Sequence, residues 1–130
     1  NIHIFGNVSL VEFNKLLQES SIVMLPLNTD APAGLIVIFQ AASQQKTVIT
    51  TSTPVTKEYI DNETGVLCEN NIDQFRKEIE YHLQHPDIAR AKGKALYNKL
   101  RSECSKELYT SKLYNILLHN ENRISHTCIL

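Results

Sequence analysis

A chain of 130 residues, 42% hydrophobic and 21% charged, is long enough to bury one core and too short for two. Its formal net charge of -1 gives no electrostatic footing for nucleic acid as the main partner. The cysteines Cys68, Cys104 and Cys128 are far apart and show no CxxC spacing, which excludes the usual zinc and disulfide patterns and fits a reducing, cytoplasmic compartment. The longest apolar runs, 21–27 and 35–39, fall far short of membrane-spanning length, and no signal-peptide pattern is present. Cys128 stands third from the end, not fourth as a prenylation box requires. The chain opens at Asn1 and enters an apolar stretch at once, which is how a piece cut from a longer protein looks.

In chain order, Ile2-His3-Ile4-Phe5 alternates and is β-prone, predicting a short strand that ends at Gly6. Ser9 followed by Glu12 is a capping-box pattern, and it opens a helix with Leu10, Phe13, Leu16 and Leu17 on its apolar face. The run 21–27 (SIVMLPL) reads as a strand covered on both faces. A polar, proline-bearing loop, 28–32, leads to a helix over about 34–45, with Leu35, Ile38, Phe39 and Ala42 at helical spacing. A strand over 47–51 and a short helix capped by Thr56 follow. Turn residues 61–65 then precede a last strand, 66–68. Asn71 with Gln74 opens a helix carrying Ile72, Phe75, Ile79 and Leu83, and Pro86 separates it from helices over about 87–103 and 105–119.

This order predicts an α/β fold: a three-layer, Rossmann-like parallel sheet with helices on both faces, ending in three helices. The folded unit is expected over 1–119, with a polar tail over 120–130. In such sheets ligands bind outside the carboxyl ends of the strands, often at helix N-termini. That rule selects the loops 6–9, 28–36 and 51–57.

The train IFGNVS, LLQESSIVMLPL, APAGLIVIFQAASQQKTVITTSTPVTKEYI and TGVLCE resembles the C-terminal domain of group 1 (family 4) glycosyltransferases, over about residues 4–117. The resemblance implies the C-terminal portion of a two-domain GT-B fold, incomplete here, with the acceptor-binding N-terminal domain as its partner. It implies a retaining, hexosyltransferase-like enzyme of polysaccharide biosynthesis that moves a sugar from a nucleoside diphosphate-sugar to a glycan or lipid acceptor. No cofactor and no metal are implied. Peripheral contact with the inner face of a membrane accompanies the reading, because the family includes such enzymes. The chain alone, lacking the other half and the basic residues that neutralise the leaving diphosphate, is expected to be inactive.

Carried over by position, Gly6, Asn7 and Val8 match the loop near the nucleotide base. Gly34, Leu35 and Ile36 match the helix start whose N–H groups face the diphosphate, a role that orphan N–H groups and the helix dipole support independently. Gln40 stands where the family has the second of two glutamates, the one that bonds the ribose hydroxyls. The first glutamate falls on Pro32, with Asp30 two residues earlier as the candidate substitute and the only catalytic candidate. The usual glycine pair in the next loop is replaced by Pro54 and Val55, while Glu58 matches that loop's glutamate. These departures support a rival reading, a degenerate GT-B-like binding or scaffold domain; a sugar-nucleotide epimerase of the same fold is a further alternative.

Plainer roles stand beside these. Gly34 fits a turn glycine, Gln40 a helix residue without a ligand, and Asp30 a turn or cap residue. His82 and His85 have chelating spacing but no third ligand nearby in sequence. The basic residues between Arg90 and Arg101 read as a solvated face, with an anion or lipid patch as the alternative.

Overall fold

The computed structural model describes residues 2–124, with side chains to residue 118. The elements are α1 (Leu10–Glu19), β1 (Ile22–Leu25), α2 (Leu35–Ser43), β2 (Thr47–Thr51), α3 (Thr56–Tyr59), β3 (Val66–Cys68), α4 (Ile72–Gln84), α5 (Pro86–Glu103) and α6 (Lys106–Ile124). The three strands form one parallel sheet in the order β1-β2-β3, with Ile22 opposite Thr47 and Ile49 opposite Val66.

The central strand explains the architecture. All five residues of β2 are buried, because both faces of a parallel sheet are covered. Val48 packs on one face in a core with Leu17, Ile38, Ala41, Ala42, Ile60, Leu96 and Leu100, drawn from α1, α2, α5 and the end of α3. Ile49 packs on the other face with Cys68 and Phe75, under α4. The three threonines of β2 satisfy their hydroxyls within the fold: Thr47 Oγ1 donates to Ala89 O, Thr50 Oγ1 donates to Leu25 O, and Thr51 Oγ1 accepts from Leu27 N–H. The three-layer expectation is therefore met, and three helices end the described chain.

The strand expected at 2–5 is not formed. Ile2 and Ile4 are 91% and 92% exposed, and no described strand pairs with the segment. An alternating pattern becomes a strand only where a ladder partner and a buried face exist, and the segment has neither here. The sheet thus has three strands among the described residues instead of four.

Smaller corrections concern the faces and ends of the helices. The Ser9–Glu12 capping box forms as expected, but Leu10 at its start is 65% exposed. On α4 the buried residues are Phe75 and His82, while Ile72 and Leu83 are exposed. His82 tolerates burial because its Nδ1 bonds Glu78 O at 2.8 Å, although its Nε2 has no hydrogen-bond partner. Thr56 does not cap α3 from outside but is its first residue; Thr53 Oγ1 accepts from Thr56 N–H, and Thr56 Oγ1 accepts from Thr53 N–H and donates to Thr51 O. Helix α6 runs to Ile124, so the first residues of the expected tail are helical; 125–130, with Cys128, lie outside the described residues.

The basic stretch of α5 is also not simply solvated. Lys92 Nζ donates to Asn62 O and Gly65 O, and Lys99 Nζ pairs with Asp61 at 2.7 Å. These two lysines clamp the turn before β3 onto α5. Among the described residues, no helix is long and apolar enough to cross a membrane.

Candidate functional site

Strand β1 ends at Leu25, β2 at Thr51 and β3 at Cys68, and their following loops enclose a cleft of about 250 Å³. It is lined by Leu27, Asn28, Thr29 and Asp30 after β1, by Thr51, Ser52 and Thr53 at the end of β2, and by Glu69 and Asn70 after β3. This is the carboxyl end of the sheet, where an open α/β fold leaves room between its loops.

The cleft walls are tied down. Leu27 N–H donates to Thr51 Oγ1 at 2.8 Å, and Ser52 N–H donates to Cys68 O at 2.7 Å. The Thr53–Thr56 exchange of bonds fixes the middle loop. Asn70 Nδ2 donates to Asn28 Oδ1 at 3.2 Å, bridging the outer loops across the end of β2. Behind this wall Cys68 is fully buried; burial, with the Glu78 carboxylate adding to it, pushes its thiol up to about 11. It stays a neutral thiol at physiological pH and is no nucleophile.

Beside the cleft, α2 begins at Gly34. This residue is the N-cap with φ of 75°, in the left-handed region that glycine enters freely. A Cβ there would lie 2.6 Å from Leu25 Cδ2, a contact the leucine side chain can relieve by moving, so it is the left-handed turn that calls for glycine. No side chain caps α2. The first N–H of the helix with a bonded carbonyl among the described residues is that of Ile38, which donates to Gly34 O. The N–H groups of the first turn, at Leu35, Ile36 and Val37, are left as the positive end of the helix.

Of the residues carried over by position only Asp30 lines the cleft, while two of the three loops selected, 28–36 and 51–57, also contribute Asn28, Thr29, Thr51, Ser52 and Thr53. Leu35 packs against the core, and Ile36 is 76% exposed at the helix start. Gln40 is half-buried and lies four residues after Ile36, hence on the same face of α2. Gly6, Asn7 and Val8 precede α1; no heavy atom comes within 4 Å of a Cβ at Gly6, and Asn7 has φ of 52°. None of the three reaches the cleft lining. Glu58 is exposed on α3. Pro54 is exposed as well, and Val55 occupies the N-cap of α3.

Glu69 and Asn70 were not anticipated as site residues. The signal was available: they follow a strand, as the other loops do, but β3 is three residues long and its successor reads first as the cap of α4. Among the described residues no three His, Cys, Asp or Glu side chains gather as metal ligands, and the Nδ1 atoms of His82 and His85 bond the backbone of their own helix.

A parallel sheet with a glycine-started helix beside a polar strand-end cleft is shared by many folds, so the geometry alone does not decide the family. The family model described as glycosyl transferases group 1 matches residues 1–100. The chain belongs to that family. The match covers everything from the approach to α1 through Leu100 of α5, including all three strands and the α2 start. No curated protein matches the chain. As a group 1 glycosyl transferase domain, the chain has a role in glycosyl transfer, and its helices and parallel sheet fit part of a GT-B domain.

Proposed function

We propose that this group 1 glycosyl transferase domain binds the donor of a retaining, metal-independent glycosyltransferase, a nucleoside diphosphate-sugar. The observation that carries the reading is the start of α2, in a chain whose family transfers sugars. Three successive N–H groups there lack carbonyl partners, and the helix dipole adds partial positive charge at the same point. A diphosphate placed on Leu35 and Ile36 leaves Gln40 one turn along the same face, about 6 Å further at 1.5 Å per residue. That is the reach of a ribose beyond its diphosphate, and the Gln40 amide both donates to and accepts from hydroxyls. Gly6, Asn7 and Val8 take the nucleobase side in this reading, and Asp30 faces the sugar side.

The chemistry this chain contributes is binding and orientation. No lysine or arginine lines the cleft among the described residues. Charge developing on the leaving diphosphate therefore needs cationic groups from elsewhere, and the chain alone holds a donor without turning it over. In the two-domain arrangement of the GT-B fold, the facing domain supplies the acceptor, a glycan or lipid, with peripheral contact at the inner face of a membrane. The compartment in this reading is the cytoplasm.

The test is a titration of the isotope-labelled chain with uridine and guanosine diphosphates and their sugars, followed by amide NMR shifts. The expected result is saturable change centred on the amides of residues 35–37 and the Gln40 side chain. Absence of saturable binding to any of these compounds contradicts the proposal. A second reading, a degenerate domain without transfer, draws on Pro32 and the Pro54-Val55 pair. It fails if the full-length protein shows turnover that Gln40→Ala abolishes without unfolding it.

A further inference from the structure

We infer that Asn28 and Asn70, with Glu69 beside them, form the subsite that reads the hydroxyls of the transferred sugar; this rests on the donor-binding reading above. The argument starts from what lines the cleft. Amides (Asn28, Asn70), hydroxyls (Thr29, Ser52) and carboxylates (Asp30, Glu69) face it, and no cation does among the described residues. A phosphate in that position meets like charge. A neutral polyol finds acceptors for each O–H and donors for each oxygen.

The pairing of the two asparagines gives the subsite its specificity. One hydrogen bond joins Asn70 Nδ2 to Asn28 Oδ1, which leaves Asn28 Nδ2 and Asn70 Oδ1 to a ligand. The clasp thus presents one donor and one acceptor, the complement of a vicinal diol, in which each hydroxyl can donate and accept. Flipping both amides together preserves this: the free pair is still one donor and one acceptor.

The wall is also pre-organised. Glu69 N–H donates to Gln74 Oε1 at 2.8 Å, and Asn71 N–H donates to Glu69 O at 2.6 Å. Asn71 Oδ1 in turn caps α4 by accepting from Asp73 N–H at 2.9 Å. The 13-residue helix α4 therefore holds the backbone of Glu69 and Asn70 in place before any ligand arrives. The α2 start lies at the other end of the same 28–34 loop, and in this inference the diphosphate sits at the helix and the sugar at the clasp.

The experiment compares two affinities in the full chain and its variants by calorimetry: for uridine diphosphate-glucose and guanosine diphosphate-mannose, and for each diphosphate without its sugar. Asn70→Ala and Asn28→Ala should weaken the nucleotide-sugar roughly three- to ten-fold, the effect of one lost hydrogen bond, and leave the free diphosphate within about two-fold. Circular dichroism checks that each variant is folded, and Asn70→Gln, which keeps the amide on a longer arm, guards against a variant that is not. Equal weakening of both ligand classes, or of neither, overturns the inference. Wild-type protein that binds diphosphates but gains nothing from the sugar overturns it too and leaves the donor reading standing. If the wild type binds no nucleotide at all, the donor reading falls, and this one with it.

Discussion

The two ends of the sheet are built on opposite terms. At the amino end most polar groups are committed to the protein itself, although a cleft of about 220 Å³ opens there between Lys46, Thr47, His82 and Arg90, and His82 Nε2 has no hydrogen-bond partner. Lys46 Nζ donates to Gln18 O and Ser20 O, Thr47 Oγ1 donates to Ala89 O, and Gly93 of α5 lies directly against the Gln45 backbone before β2. At the carboxyl end the backbone is equally well tied, but amides, hydroxyls and carboxylates face a cleft, and the first N–H groups of α2 have no cap. The difference separates stability from function within one small domain. Substitutions at the amino end should cost folding, and those at the carboxyl end should cost binding at little cost in folding.

The largest expected effect tests the amino end. A Cβ at Gly93 would collide with Gln45 O and come within 2.6 Å of Gln45 C, and backbone cannot swing aside as a side chain can. Gly93→Ala should destabilise by about 3 kcal/mol, the upper range for overpacking, as read by urea denaturation. A loss below about 1 kcal/mol would show that α5 is not held so closely to the strand.

Gly34→Ala comes next and probes the boundary between the two regimes. It forces a side chain into a left-handed φ of 75° and against Leu25. A loss of about 1–2 kcal/mol is expected from the backbone alone, together with weaker nucleotide binding, since the turn aims the start of α2. Lost stability with unchanged diphosphate affinity would place the anion elsewhere.

The smallest effect concerns the turn clamped by α5. The Lys99 ammonium, with bonds from Thr64 and the Glu63 N–H helping, holds the Asp61 carboxyl down to about 2 from 3.8. A depressed carboxyl contributes stability that is present above pH 4 and is lost as pH falls through about 2. The pair is partly exposed, with half of the Asp61 side chain open to solvent, so its worth is below about 1 kcal/mol. Lys99→Met should flatten the acid limb of the stability curve between pH 4 and 2 and leave donor binding unchanged. An unaltered acid limb would remove the clamp from the description.

How much of this was legible beforehand follows the same division. The core was readable because β2 is apolar or β-branched throughout, and because Leu35, Ile38 and Ala42 recur at helical spacing on α2. The helix caps at Ser9 and Asn71 were readable from their own side-chain chemistry. The segment 2–5 was misread because alternation reports a capacity to pair, and the partner is supplied by tertiary context. The burial of His82 was not anticipated, because a bond to Glu78 O is invisible to hydrophobic periodicity. On the carboxyl end, Gly34 and Asp30 could be found from a resemblance and a loop rule. The contribution of Glu69 and Asn70 depends on three strands ending side by side, which no local pattern records.

The central claim, that the start of α2 receives the donor's diphosphate, is tested most directly by Ile36→Asp. Ile36 is 76% exposed and is the second residue of the helix, so an aspartate there disturbs no core. Its charge complements the helix dipole and should leave stability unchanged or raise it by about 0.5 kcal/mol. The same charge should repel a diphosphate and weaken the affinity for uridine or guanosine diphosphate about ten-fold or more. Retained stability with lost nucleotide affinity is the predicted result; full affinity in a folded Ile36→Asp protein would contradict the claim.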